Sequence, residues 1–301
     1  HAQWMLRDTH AQGRMATQRT HKTFSKHGRK YDRYYANFGS NMSSLENKDP
    51  RDYFPSPEAE IIEPTEKMAN DILVNGEFIG GHTMPWGSNY TFMIWLSVED
   101  GKCIRAIYKP RDGERPLHDF PSGTLYKRER ATYVLSKELG WPNVPLTIIR
   151  DGPYGIGSVQ LYIDCDPRIT YFEMRDTLKE ELAPIAAFDL LANNADRKGG
   201  HCLVDQHRTI WSIDHGLTFH HTFKLRTVML EYCGKKISPA LMKSLDSLKR
   251  SIDERNEFYE EMLSLTSEIE IEALTSRINA MLNDPTIPIL DPNRDVPWPF
   301  V

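Results

Sequence analysis

Two short polar tracts constrain this chain more than anything else in it. Asn194-Ala195-Asp196-Arg197-Lys198-Gly199-Gly200-His201 is followed, one short strand later, by Ile213-Asp214-His215-Gly216. A helical pattern over 174–193, apolar at Leu182, Ile185, Ala186, Leu190 and Leu191, runs straight into the first tract. Strand patterns over 201–204 and 209–213 flank the turn Asp205-Gln206-His207. Any fold that accepts this order ends a helix near Asn194 and brings two carboxylates to the ends of one short hairpin. Asp is also an ordinary turn residue. Two of them bracketing a hairpin, one behind the apolar Ile213, fit a site better than two chance loops.

Phosphoryl transfer needs such a pair. One Asp orients or deprotonates the acceptor hydroxyl, and a second holds the metal that bridges the phosphates. The reaction also needs a cation on the phosphates, and Lys109 is the candidate. It ends the apolar strand Ile104-Arg105-Ala106-Ile107-Tyr108-Lys109-Pro110. Glu129 lies early in the next helix, which begins near Tyr126 and is apolar at Ala131, Val134, Leu135 and Leu139 before Gly140 closes it. It is the natural partner for Lys109. Most lysines at strand ends are simply solvated; the downstream Asp pair is what gives this one a role. The turn over 79–89 holds Gly80, Gly81, Pro85 and Gly87 and is suited to fold over phosphates, with Ser88 and Asn89 at its phosphate-contacting end. It is neither a P-loop nor a G-x-G-x-x-G, so an ordinary hairpin loop stays open as the alternative.

Strands come first and long helices later. The segment 67–73 reads as a helix or a strand lead-in and 74–78 as a strand. Strands at 90–98 and 103–109 form a hairpin across Asp100-Gly101, and 158–163 is a further strand. Helices follow over 239–252, 254–265 and 269–283, and the Pro-rich end 285–301 is expected to lie extended. The class is therefore α+β, with a small β-rich N-lobe over 66–163 and a larger helical C-lobe over 164–301. Residues 1–65 form a basic extension and linker, carrying Arg14, Arg19, Lys22, Lys26, Arg29, Lys30 and Arg33. Such a run is either a solvated helix or flexible extension, or a docking arm for an acidic partner, a protein among them, or an anionic surface.

The net charge of −5 over 301 residues gives no case for nucleic-acid binding. No apolar run reaches the roughly 20 residues a bilayer span requires. Four scattered cysteines without a Cys-x-x-Cys favour reduced thiols and a cytoplasmic setting. Cys202 beside His201 is a poor nucleophile–base pair, because neighbours on a strand face opposite ways.

The tract from Asn194 to His201, together with Ser212-Ile213-Asp214-His215-Gly216-Leu217-Thr218-Phe219, resembles the phosphatidylinositol 3-/4-kinase-like superfamily. The nearest branch is the type II phosphatidylinositol 4-kinases and their bacterial relatives. Lys109-Pro110 and Gly157-Ser158-Val159-Gln160 add to the likeness, which spans about 66–290. The resemblance implies a bilobal protein-kinase-like fold that binds ATP with Mg²⁺ or Mn²⁺ and passes the γ-phosphoryl group to a hydroxyl of a small molecule or protein. It implies Lys109 as the phosphate lysine, Asp196 as the catalytic Asp with Arg197 beside it, and Asp214 as the metal Asp. Adenine is expected at the connection near Gln160 and Tyr162, with Ile213 below it. His201 stands where the family places a second metal-binding Asn, and imidazole suits Mn²⁺ better than Mg²⁺. Two further readings follow: AMP transfer on the same fold, and a nucleotide-binding pseudokinase.

Overall fold

Apolar residues on both faces of Phe92–Ser97 require a strand covered from two sides, and that is where it lies. The computed structural model describes residues 58–84 and 89–300. Most of the basic extension and Ser88 therefore lie outside the described residues. Five antiparallel strands stand in the order β2 (Phe78–Thr83), β3 (Phe92–Ser97), β4 (Lys102–Pro110), β6 (Gly155–Leu161) and β5 (Thr147–Gly152). A short strand, β1 (Glu60–Ile61), runs parallel to the start of β4.

Helix α1 (Glu66–Asn75) starts at Thr65, whose hydroxyl accepts from the Met68 amide at 3.4 Å. Its Ala69, Ile72 and Leu73 cover one face of the sheet, over Ile94, Leu96, Ile104, Ala106 and Tyr108. The strand expected over 74–78 does not form. The helical period carries α1 to Asn75, the Gly76 amide returns to the Ile72 carbonyl at 2.7 Å, and β2 begins only at Phe78. On the other face Met93, Trp95 and Cys103 pack with Ile107 and Tyr162. Strand alternation puts Lys109 on this second face with Ile107. Strand β5, bracketed by Pro145 and the Pro153-Tyr154 turn, is an element the sequence pattern did not reveal.

Helix α2 (Leu125–Leu139) ends where Gly140 takes φ +77°, a conformation glycine adopts without steric cost. Its Ala131, Val134, Leu135 and Leu139 enter the largest core, which belongs mainly to the helical part. The helix expected over 174–193 is two: α3 (Tyr171–Met174), opened by a Thr170 capping box, and α4 (Lys179–Ala192). Helix α4 is apolar nearly all round and is buried as the central helix. Its C-terminus leads into a two-stranded hairpin, β7 (Cys202–Val204) and β8 (Ile210–Ser212). Helices α5 (Pro239–Asp253), α6 (Glu257–Leu265) and α7 (Glu268–Asn283) complete the core. The chain is thus α+β, with a β-sheet N-terminal part and a helical C-terminal part. Among the described residues no helix is long and apolar enough to cross a membrane.

Candidate active site

Lys109 leaves the end of β4 toward the helical part, where two elements meet it. Its Nζ lies 2.5 Å from Glu129 Oε1 on α2 and 2.8 Å from Asp214 Oδ1 beyond β8. The other Glu129 oxygen accepts the His215 backbone amide at 3.0 Å. One carboxylate thus fixes both the lysine and the loop that carries Asp214. Burial alone would lower the lysine's affinity for its proton, but Asp214 and then Glu129 outweigh it, so the ammonium is held more firmly than usual.

Glu129 stays in place because its neighbours on α2 anchor the helix. Arg128 pairs with Glu270 of α7 at 2.6 Å, both side chains nearly sealed, and also donates to the Thr218 carbonyl at 2.5 Å. Arg130 pairs with Glu261 of α6 at 2.6 Å. Helix α2 is therefore pinned to the helical part, and Arg130 ties it to the sheet as well, donating to the Thr147 carbonyl of β5 at 2.6 Å.

The loop after α4 is built from the inside. Arg197 is fully buried, and Nε and Nη2 engage Asp189 of α4 at 2.8 and 2.9 Å. Nη1 donates to the carbonyls of His201 and Ile213, and Nη2 also reaches Ser212 Oγ at 2.7 Å and His215 Nε2 at 2.9 Å. These partners turn the guanidinium away from Asp196 and into the protein. Its place is under the loop, where it ties both polar tracts to the hairpin between them. Asn194 sets the next step: its Oδ1 accepts the Asp196 amide at 3.0 Å, turning that carboxylate outward.

Asp196 stands at the cleft with Lys198 Nζ 3.4 Å from its Oδ2. Burial pushes its pKa up to about 6; Lys198 opposes the shift and Asp214 adds to it. Gly199, in the same loop, donates its amide to the Phe300 carbonyl at 2.8 Å, and a Cβ there would lie 2.6 Å from the Phe172 ring. Only glycine lets the loop pass this close.

Asp214 takes φ +58°, a left-handed conformation Asp tolerates better than most residues. Burial disfavours its charge, yet Lys109 and then His201 hold it well below the usual carboxylate range. It remains 48% exposed on its cleft side. His201 Nε2 lies 3.2 Å from Asp214 Oδ2, and His201 Nδ1 accepts the Lys198 amide at 3.4 Å. Burial keeps this ring neutral, its pKa pushed down to about 4 against the pull of Asp214. Burial also pushes the Cys202 thiol up to about 12, which removes it as a nucleophile.

The remaining candidates are less gathered. Asn89 Oδ1 accepts the Arg115 amide at 2.8 Å, while its neighbour Ser88 is outside the described residues. Gln160 is buried, and its amide donates to Thr147 Oγ1 at 2.8 Å within the sheet. Tyr162 lies under the Arg105 guanidinium at 4.6 Å, and Arg105 also pairs with Asp164 at 3.0 Å, bracing the connection out of β6. Ile213 donates its amide to the His201 carbonyl at 3.0 Å. Lys198, Asp189 and Arg128 were not picked out from sequence. Lys198 was legible by its position next to Arg197, whereas nothing local marks a partner on a distant helix. A cavity of about 450 Å³, lined by Ile62, Ile104, Tyr133, Tyr162 and Trp211, shares only Tyr162 with these candidates and is separate from the Lys109–Asp214 cluster.

No family model matches the chain. Protein Rv2133c of Mycobacterium tuberculosis is 34% identical to it over 263 residues, covering 76% of this chain and 94% of that protein. Among solved structures, the crystal structure of a Golgi casein kinase is similar with a TM-score of 0.47 and 14% identity, over 82% of this chain and 80% of that one. The Golgi casein kinase with Mn/ADP bound gives 0.46 and 13%, over 73% and 76%. The Helicobacter pylori proinflammatory kinase CtkA gives 0.43 and 10%, over 71% and 94%.

Proposed function

The chain belongs to the family of protein Rv2133c, and on that footing we propose that it is an ATP- and divalent-metal-dependent phosphotransferase of the phosphatidylinositol 3-/4-kinase-like type. The observation that carries the reading is Lys109 Nζ held between Glu129 and Asp214, with Asp196 across the same cleft. Phosphoryl transfer depends on positioning and charge, and this arrangement supplies both.

In this reading Lys109 holds the α- and β-phosphates and Glu129 aims it. Asp196 orients the acceptor hydroxyl, and a pKa near 6 leaves it ionised at neutral pH and able to take the proton. Arg197 acts from below as a positioning residue. Ile107, Tyr162 and Ile213 would face the base, and the turn through Ser88 and Asn89 the phosphates. Asp214 would hold the ion: it is an ionised oxygen donor with one side open to the cleft, which suits Mg²⁺ or Mn²⁺. A bound ion supplies charge neutralisation between the phosphates. The acceptor is a hydroxyl of a small molecule or protein, and dispersed thiols accord with a cytoplasmic setting.

A thermal-shift titration with ATP, with and without Mg²⁺ or Mn²⁺, tests this on wild type and Asp214→Ala. Ligand at a hundredfold over Kd adds about 2.7 kcal/mol of stability. The expected result is a metal-dependent rise in melting temperature that Asp214→Ala removes. No shift with any nucleotide in folded protein overturns the reading. Label transferred from the γ- rather than the α-phosphate separates phosphoryl from AMP transfer.

A further inference from the structure

We propose that the segment 295–300, near the C-terminal end, is a positioning element for the loop that carries Asp196 and Lys198, and that phosphoryl transfer depends on it while nucleotide binding does not. The inference rests on the phosphotransferase reading above. It starts from how the loop is held. Asn194 fixes the Asp196 amide and Arg197 is buried beneath, while Asp196 and Lys198 pair at the cleft. The residue that closes this stretch is Gly199, which is buried and donates its amide to the Phe300 carbonyl at 2.8 Å. A buried amide needs an acceptor, and this one finds it on the tail.

The same segment holds the chain beside the loop. Arg197 pairs with Thr227 as in a parallel sheet: its amide donates to the Arg226 carbonyl at 3.0 Å, and its carbonyl accepts from Val228 at 3.1 Å. The Thr227 amide then faces the outer edge, where the Asp295 carbonyl accepts it at 2.9 Å. The tail is itself anchored. Ile287 and Leu290 lie in the core of the helical part, Val296 packs against that core, and Pro297 is buried. A turn braces it, with the Asp295 amide on the Asp291 carbonyl at 2.8 Å and the Asp291 amide on Asp295 Oδ2 at 2.9 Å. What the tail gives the loop is backbone, since Trp298 and Phe300 are 81% and 47% exposed. On its other side Gly199 lies against Phe172 of α3. The loop is gripped between α3 and the tail, and losing the tail lets Asp196 and Lys198 shift. A displacement of about 1 Å costs transfer about 10²-fold. Lys109, Glu129 and Asp214 are braced by one another and by the His215 amide, so nucleotide binding is spared.

Amide hydrogen exchange on the wild-type chain reads the contacts without any variant. Gly199 and Thr227 are expected to exchange slowly, and fast exchange at either overturns the inference. Deleting residues 295–301 should lower γ-phosphate release from ATP with Mg²⁺ about 10²-fold and leave the Kd for ATP unchanged. Asp295→Ala, which loosens the turn at Asp291 without shortening the chain, should act in the same direction and serves if the deletion does not fold. Unchanged release in the folded variants overturns the inference. So does a parallel loss of release and of ATP affinity, the mark of a merely structural role. A wild type that binds ATP and releases no γ-phosphate overturns the phosphotransferase reading, and the inference with it.

Discussion

Two ion-pair clusters lie side by side in this molecule, made from the same chemistry and placed in opposite surroundings. Arg197 and Asp189 are 0% and 1% exposed, and the guanidinium's hydrogen bonds end on protein. Lys109, Glu129 and Asp214 are 22%, 3% and 48% exposed, so the second cluster is sealed on the helix side and open on the cleft side. A charge pair closed on all sides has nothing left to offer a ligand and serves to specify the loop around it. A pair left open on one side keeps acceptor and donor capacity for something that arrives. Exposure, more than residue type, separates scaffold from site.

The strongest way to break this contrast is Arg197→Met, which strands the Asp189 carboxylate in the core. A loss of about 3–5 kcal/mol is expected in urea denaturation, the usual result of removing one partner of a buried pair. Normal stability with nucleotide binding lost would put Arg197 in the site instead. Next in size is Asp214→Ala, for which phosphoryl transfer should fall about 10²–10³-fold while the melting temperature stays near wild type. A collapse in stability would make the open cluster a scaffold as well.

Asp196 sharpens the contrast through pH. Its folded pKa is about 6 against an ordinary 3.8, so the folded state binds the extra proton between those values. Stability is therefore lost as pH rises through that window, while activity is gained as the carboxylate ionises. Asp196→Asn should be more stable than wild type above pH 6, match it near pH 4, and show no activity limb near 6. Melting curves and rates across pH 4–8 check both signs. The smallest effect belongs to Lys137→Ala, which breaks an exposed pair with Glu66 and should cost no more than about 1 kcal/mol.

Lys109 and Glu129 were legible together because a strand end and the next helix's first turns are local patterns, and a charge at each is informative. Asp196 and Asp214 were legible from turn chemistry flanking a hairpin. Arg197 was not: in a polar tract it reads as a cleft residue, and its burial depends on Asp189, a lone acid in the apolar helix α4. Helix α2 was legible by its period, but where it packs was not. Its sequence position falls among the strands, yet its apolar stripe and Arg128 fit helices that come far later in the chain. Strand β5 was missed because prolines before it and a turn after it leave only a brief apolar run. Local period reveals elements; which distant face they meet is decided by long-range contacts that period does not encode.

The anchoring of α2 also has a mechanical meaning. The helix is a post set in the floor of the molecule, and the sheet is a panel hung beside it, braced at the Arg105–Asp164 corner. Lys109 is the bolt on the panel and Glu129 the keeper on the post. One short contact between bolt and keeper thus fixes a whole sheet against the helix beside it.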